Sequence, residues 1–203
     1  MTKEQYGQNL ESNILDLHTR LKTMRWRHQP IRRVRIPKEK GESRPIGISS
    51  LEDKVVQGAL YELLEAIYEP LFKDFSYGFR KGRRAHDALR SLNGVLYQGQ
   101  GNWILELDVQ SYFDSIDRVK LKEMLQERVV DGSLLRLIGK CLHVGILDGE
   151  TYFEPGEGTA QGSVLSPILG NIYLHHVLDV WFERDVKPRL RGRAHLVRYA
   201  DDG

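Results

Sequence analysis

The stretch that decides the fold is residues 195–203, His-Leu-Val-Arg-Tyr-Ala-Asp-Asp-Gly. Its first five residues have the character of a β-strand, and its last three have the composition of a tight turn. A second stretch, residues 103–109, alternates apolar side chains with Glu106 and Asp108, which indicates a strand with one apolar and one acidic face. We therefore predict two strands of one sheet, packed on helices at the back and open to a cleft in front.

Acidic side chains lie at the ends of both predicted strands. If the strands are neighbours, Asp108 converges with Asp201 and Asp202 at one edge, where the carboxylates repel one another unless a cation neutralises them. Mg²⁺ takes hard oxygen ligands of this kind, and two ions roughly 4 Å apart can support an in-line phosphoryl displacement. From spacing alone, a surface carboxylate and an ordinary hairpin turn remain an open alternative.

Composition excludes several classes of protein. The chain has 203 residues, 40% of them hydrophobic, and could form one domain or two small ones. A single cysteine, Cys141, excludes a disulfide framework and a multi-cysteine zinc site. No run of 18 apolar residues occurs in the sequence, so we expect no membrane span and no secretion signal.

Positive charge is clustered although the net charge is only +2. The clusters lie in residues 20–44, 80–84 and 184–198, and aromatic residues such as Trp26 and Tyr77 are interleaved with them. A solvated basic surface explains any one cluster. Three of them together favour a phosphate-backbone partner.

The remaining pattern mixes helices with hairpins. Helical periodicity or capping residues indicate helices near 8–24, 55–67, 85–96, 121–128, 134–142 and 166–180. Ser49 with Glu52 resembles a capping box, and Ser166-Pro167 fits an N-cap followed by proline at the first helical position. Residues 32–48 read as a basic hairpin. The fold class predicted is α+β.

Five sequence blocks, in order, resemble group II intron-encoded reverse transcriptases. Tyr-Ala-Asp-Asp at 199–202 resembles their YxDD signature, and Leu107-Asp108 with Tyr-Phe-Asp at 112–114 resembles polymerase motif A. The other blocks are Arg-Pro-Ile-Gly-Ile at 44–48 with Asp-Lys-Val-Val-Gln at 53–57, Ser-Tyr-Gly-Phe-Arg-Lys-Gly-Arg at 76–83, and the motif B-like 158–167 with 171–174. Ala160 stands where the family often has proline.

The resemblance implies a right-hand polymerase with fingers and a partial palm, an antiparallel palm sheet packed on helices, and no thumb. It divides the chain into fingers at 1–84, palm with motif A at 85–117, connecting helices at 118–158, and palm with motif B and YADD at 159–203. We expect these residues to belong to a longer enzyme and to be inactive alone.

The resemblance also implies a metal site. Asp108 and Asp201 would be the principal ligands of two Mg²⁺ ions, with the carbonyl of Val109 as a further ligand and Asp202 as a supporting carboxylate.

Other residues would bind nucleotide and nucleic acid. Lys38 and Arg44 resemble the cations that hold the triphosphate, although a solvated hairpin is an alternative. Phe113 would pack against the sugar 2′ position and exclude ribonucleotides, or be a core residue. Gln161 would lie beside the incoming nucleotide and template. Tyr199 would support the primer end, and the basic stretch would bind RNA through Arg32, Arg33 and Arg35.

The function implied is RNA-directed DNA polymerase activity in the bacterial cytoplasm, with an intron RNA template, a DNA primer or target, and dNTP as partners. An RNA-binding maturase that assists splicing is the alternative, as is a related diversity-generating, retron or CRISPR-associated reverse transcriptase. An edge strand left unpaired after Asp202 would favour a homodimer.

Overall fold

The computed structural model describes residues 2–37, 43–99, 103–160 and 162–203. Two of the predicted site residues, Lys38 and Gln161, lie outside these ranges. The helices are α1 (Lys3–Gly7), α2 (Leu10–Lys22), α3 (Leu51–Tyr68), α4 (Ala85–Tyr97), α5 (Tyr112–Ser115), α6 (Arg118–Gln126), α7 (Gly132–Leu142) and α8 (Ser166–Leu174). The strands are β1 (Ile31–Pro37), β2 (Ser43–Ile48), β3 (Ile146–Asp148) and β4 (Thr151–Phe153). The predicted α+β class is confirmed.

The four strands form one sheet in the order β2-β1-β3-β4. Strands β1 and β2 form the predicted basic hairpin, in which Ile36 lies opposite Arg44. Strand β3 runs parallel to β1 and antiparallel to β4. The sequence prediction missed the β3–β4 hairpin, although Asp148-Gly149 is a strong turn signal and Gly149 has a φ of 62°.

The hydrophobic core lies between helices α3, α6, α7 and α8. Leu64, Leu121, Ile138 and Ile172 are almost completely buried there, and Trp26 closes one side of the same cluster. These are the apolar positions that recur at helical spacing in the sequence, so their burial explains why the helices form.

Helix α8 continues into π-helical turns at His175–Asp179 and Phe182–Val186 and a 3₁₀ turn at Lys187–Arg189. The helix that we predict near 166–180 is therefore present. After Leu174 its backbone hydrogen bonds join residues five apart instead of four. A π-turn changes which side of a helix the following residues face. This change brings Asp179 into the protein interior.

Two predicted helix starts are wrong by one residue. Helix α3 is capped by Ser50, whose hydroxyl accepts from the Asp53 backbone N–H. The Ser49 hydroxyl is instead buried and accepts from the Gln57 side chain at 3.1 Å. Helix α8 begins at Ser166 itself, with Leu165 at the N-cap position, because the Ser166 hydroxyl donates to the Ala160 carbonyl at 2.8 Å.

The regular strands that we predict at 103–109 and 195–199 do not form. Asp108 bridges antiparallel to Asp202, and Leu107 exchanges backbone hydrogen bonds of 2.7 and 3.0 Å with Gly203. Residues 103–106 pair with no strand among the residues that the structure describes. The apolar residues there remain exposed, as the 95% exposure of Trp103 shows.

Within the described ranges, no helix has both the length and the apolar content needed to cross a bilayer.

The core can be tested by truncating one buried leucine. Leu121 has 0% exposure, so Leu121→Ala should lower the free energy of unfolding by about 2–5 kcal/mol through lost burial and a residual cavity. Leu89 on α4 is 61% exposed, and Leu89→Ala should change it by less than about 0.5 kcal/mol. Urea denaturation followed by circular dichroism measures both. Equal effects would contradict this location of the core.

Candidate active site

Two of the predicted catalytic segments meet in the structure. The Tyr199 N–H donates to the Asp202 carbonyl at 2.8 Å, and the Asp202 N–H donates to the Tyr199 carbonyl at 3.1 Å. The two bonds close a turn with Ala200 and Asp201 at its tip. Asp108 lies opposite Asp202 across the antiparallel bridge. Distant segments of the sequence therefore contribute carboxylates to one edge, as the strand pattern predicts.

The carboxylates at this edge repel one another. Partial burial raises the pKa of Asp202, and the negative charges of Asp201, Asp108 and Glu106 raise it further. Asp201 also acts on the buried Tyr112, whose pKa is raised mainly by burial. The edge is thus a region of concentrated negative charge.

A divalent cation would relieve this repulsion, and oxygen donors are the ligands that Mg²⁺ prefers. The donor chemistry of Asp108, Asp201 and Asp202 therefore fits such an ion, and Val109 follows Asp108 directly. Among the residues that the structure describes, however, no three His, Cys, Asp or Glu side chains form a group ready to hold a metal. The structure brings the acidic segments together without forming a closed cage.

Unusual backbone conformations cluster around this edge. Four non-glycine residues in the described ranges have positive φ. Phe79 and Ala200 belong to the motif blocks, and Ser111 lies between the two parts of motif A. The φ of Ala200 is 58°, a conformation that costs an L-residue about 1–2 kcal/mol. Such strain persists only where surrounding contacts enforce it, and it concentrates at functional sites.

The loop before Gln161 is hydrogen-bonded to Arg118 of α6 and packs against motif A. Arg118 donates to the carbonyls of Pro155, Glu157 and Gly158 at 2.7, 2.9 and 2.8 Å, and burial lowers its pKa. Gly158 has a φ of 78°, and a Cβ on it would lie 2.6 Å from the Asp114 carbonyl oxygen. A glycine is therefore required for this close approach.

The residues after Gln161 are held by helix α3. The Val164 N–H donates to the Gln57 side chain at 3.1 Å, and Gln57 is completely buried. Gln57 also contacts Ser49 and His28. Sequence reasoning missed this role, because Gln57 appears in the sequence only as the last residue of a family block.

Phe113 is half-buried beside the acidic edge. Its ring contacts Phe79 edge-on, with centroids 6.2 Å apart, and lies against Gly170 on α8. Its backbone carbonyl accepts from the Thr159 N–H at 2.6 Å. Motif A and motif B therefore meet at this aromatic residue, and Tyr199 is 39% exposed nearby on the YADD turn.

The three predicted RNA-binding arginines lie on both faces of β1. Arg33 and Arg35 share one face, where they approach Asp148 at 3.6 and 3.1 Å, and Arg33 stacks over Phe153. Arg32 points to the opposite face because side chains alternate along a strand. The Asp148 carboxylate reduces the positive charge available on the first face.

Two residues in the basic clusters are not surface cations. Arg198 has 0% exposure and Arg80 has 7%, and each forms an ion pair, with Asp179 and Glu69 respectively. Neither guanidinium is placed to bind phosphate. Burial of a charge cannot be recognised from a basic run alone. The interpretation of these two arginines as part of phosphate-binding clusters is therefore wrong.

A reverse transcriptase (RNA-dependent DNA polymerase) family model matches residues 36–203, which contain the acidic edge and the loops that hold it. The chain belongs to the reverse transcriptase family. This membership confirms the resemblance found in the sequence blocks.

Named relatives point to group II introns. The chain is 37% identical over 187 residues to "Group II intron-encoded protein LtrA" of Lactococcus lactis subsp. cremoris, covering 89% of this chain and 31% of the relative. It is 45% identical over 163 residues to "Uncharacterized 91 kDa protein in cob intron" of Schizosaccharomyces pombe, covering 80% and 20%. The chain therefore spans a third or less of the length of these two relatives.

Solved structures support the fold. The chain superposes with a TM-score of 0.57 on a chain of a "Partial Cas6-RT-Cas1--Cas2 complex", at 22% identity, covering all of this chain and 33% of the other. At this identity the likeness shows the fold alone, which is that of polymerase fingers and palm.

The crowding of charge at Asp202 predicts a pH-dependent stability difference. A pKa above the ordinary value of 3.8 means that the folded state favours the protonated carboxyl, so ionised Asp202 destabilises the fold. Asp202→Asn should therefore raise the melting temperature at pH 7 in EDTA. The gain should disappear as the pH falls through the folded pKa of Asp202.

Thermal denaturation of both proteins across the acidic range measures this difference. Glu150→Gln, on the exposed β3–β4 turn, is the control and should show no comparable gain. An Asp202→Asn protein that is less stable than the natural chain at pH 7 would contradict the repulsion between Asp202 and the neighbouring carboxylates.

Proposed function

We propose that the chain is the fingers and palm region of a group II intron-encoded RNA-directed DNA polymerase, in which a primer 3′-hydroxyl attacks the α-phosphate of a dNTP. The observation that carries this proposal is the antiparallel pairing of Asp108 with Asp202, which joins motif A to the YADD turn. The family match and the group II intron relative support the reaction class.

The proposed catalytic residues are Asp108, Asp201 and Asp202. Asp108 and Asp201, with the Val109 carbonyl, would hold two Mg²⁺, and Asp202 would support them. When bound, the ions would supply activation of the attacking hydroxyl and neutralisation of charge on the leaving group. The chain itself holds the two segments that carry these carboxylates together, because Leu107 is hydrogen-bonded to Gly203 and Tyr199 to Asp202.

The proposed nucleotide pocket lies between the basic hairpin and motif A. Lys38 and Arg44 would bind the triphosphate, Gln161 would contact the nucleotide and template, and Tyr199 would support the primer end. Arg118 and Gln57 bind the described residues on the two sides of position 161, at Gly158 and Val164.

The proposed partners are intron RNA, a DNA primer or target, and dNTP. Bacterial relatives in Lactococcus lactis and Escherichia coli support a bacterial cytoplasmic location. The division at 84, 117 and 158 into fingers, palm, connecting helices and palm is part of the same proposal. A homodimer stays a prediction that sedimentation would check.

Replacing Asp108 tests the polymerase proposal. In the natural full-length protein, Asp108→Asn should reduce the rate of primer extension on an RNA template by at least about 100-fold, because a charged group aimed at the reacting centre is lost. Its template–primer affinity should stay within about twofold. Glu123→Gln, on the exposed side of α6, is the matched control and should extend normally. Normal extension by the Asp108 variant would refute the catalytic role.

A maturase role is the second candidate. The relative named "Nuclear intron maturase 4, mitochondrial" of Arabidopsis thaliana, 32% identical over 128 residues, favours it. The same variants separate the two roles: Asp108→Asn should leave intron RNA binding intact, whereas Arg32→Ala should weaken it. If Asp108→Asn kept cDNA synthesis while Arg32→Ala and Arg33→Ala abolished RNA binding, maturation would be the main function.

Phe113 is proposed to exclude ribonucleotides. Its ring is held against Phe79 and Gly170, so it could not move away from a 2′-hydroxyl without repacking. Phe113→Ala should reduce the preference for dNTP over rNTP by about 10- to 100-fold, the range expected for relieving an overpacked contact. The ratio of kcat/KM values measures it. Tyr152→Ala on β4 is the control, and an unchanged ratio in the Phe113 variant would refute the assignment.

A further inference from the structure

A buried arginine lies directly before the YADD turn. Arg198 has 0% exposure, and its guanidinium donates to Asp179 at 2.8 and 2.7 Å, to Ser76 at 2.6 Å, to Asn171 at 3.3 Å and to the Ala200 carbonyl at 2.7 Å. An arginine that is removed from water in this way must have its charge and its N–H groups paired. These partners satisfy that requirement.

One of these partners belongs to the catalytic turn itself. The Ala200 carbonyl is the acceptor immediately before Asp201, and Ala200 has the positive φ that makes this turn strained. A strained residue keeps its conformation only if surrounding contacts over-determine it. The Arg198 guanidinium is one such contact, because it fixes the direction of the peptide group that leads into Asp201.

The neighbouring loop restrains the same turn from another side. The Arg198 N–H donates to the Phe75 carbonyl and the Tyr77 N–H donates to the Arg198 carbonyl, both at 2.8 Å. A Cβ on Gly78 would lie 2.2 Å from the Ala200 backbone nitrogen. The 75–78 loop is thus packed against the turn so closely that only a glycine fits.

Helix α8 and its π-helical continuation provide the anchors. Asp179 is completely buried and accepts both charged hydrogen bonds from Arg198. Asn171 accepts from Arg198 and donates to the Gly78 carbonyl at 2.8 Å, so it connects the guanidinium with the 75–78 loop. Two segments that carry no metal ligand in the proposed site therefore determine where the turn lies.

We propose that Asp179 and Arg198 are a positioning pair that orients the YADD turn and with it the Asp201 carboxylate. The proposal rests on the proposed polymerase function and adds two residues that do not touch substrate. A guanidinium is needed because it donates to the Asp179 carboxylate and the Ala200 carbonyl at the same time, in a planar geometry that an ammonium group cannot reproduce.

The test uses Arg198→Lys and Asp179→Asn in the natural full-length protein. Both keep side-chain bulk, and Asp179→Asn is the second variant in case the first does not fold. Arg20→Lys is the control, because Arg20 on α2 is also paired with carboxylates, Asp16 and Glu52, yet makes no hydrogen bond with the described residues of the turn or of the 75–78 loop. The measurements are melting temperature, kcat and KM for dNTP per active site, and Mn²⁺ affinity by electron paramagnetic resonance.

For the positioning pair we expect kcat to fall by about 10- to 100-fold while KM for dNTP stays within about twofold, since only the orientation of the reacting centre changes. The Mn²⁺ dissociation constant should rise at least about fivefold. Arg20→Lys should lower the melting temperature but leave kcat per active site and Mn²⁺ affinity unchanged.

Two results overturn the proposal. One is a folded Arg198→Lys or Asp179→Asn protein with natural kcat per active site and natural Mn²⁺ affinity. The other is an Arg20→Lys protein with equal losses, because the effect would then be one of general stability. If the natural protein extends no primer, the polymerase function fails, and Mn²⁺ affinity alone decides the positioning role.

Discussion

The structure has to hold like charges together. Partial burial raises the pKa of the Asp202 carboxyl, and the nearby charges of Asp201, Asp108 and Glu106 raise it further. The charged form of Asp202 therefore destabilises the fold. The side chains cannot stabilise this arrangement among themselves. It must be imposed by the backbone, through the paired hydrogen bonds of Leu107 with Gly203 and of Tyr199 with Asp202.

Arginine side chains reinforce that backbone in two places. Arg118 binds three carbonyls of the loop that precedes Gln161, and Arg198 binds the carbonyl of Ala200. A guanidinium presents several donors in one plane, so one side chain can fix several peptide groups. Glycines complete the arrangement where the backbones are too close for a Cβ, at Gly78 and Gly158. Residues of the motif blocks therefore hold the backbone in place as well as supplying chemical groups to the site.

Much of this architecture can be predicted from local pattern. Helical spacing predicts α3 and α7 well because each buries an apolar face. It also predicts α4, although Ala88 is the only buried residue of that helix. The basic alternation at 32–36 predicts the hairpin. The order of the blocks indicates the family. The Asp148-Gly149 turn, which the sequence prediction missed, can also be predicted, since it has the sequence of a tight hairpin.

The rest depends on tertiary contacts that no local pattern shows. Arg198 reads as part of a basic cluster, and only the fold reveals that Asp179, 19 residues earlier, neutralises it in the interior. Residues 103–109 have the alternation of a strand, yet a strand forms only when a partner is present along its length, and pairing here is limited to Leu107 and Asp108. The separation of Arg32 from Arg33 follows from strand alternation, but the contact of Arg33 with Asp148 does not.

A buried ion pair is a poor way to gain stability. Removing both charges from water costs several kcal/mol per ion, and an apolar pair of similar volume is often as stable or more so. Stability alone therefore does not explain why Arg198 and Asp179 occupy the interior beside helix α8. The directionality of hydrogen bonds does explain their presence. Hydrophobic contacts are non-directional, whereas the guanidinium fixes the orientation of the Ala200 peptide group relative to Asp179. Where a strained turn must present a carboxylate against electrostatic repulsion, directional bonds are the interaction that can keep it in place.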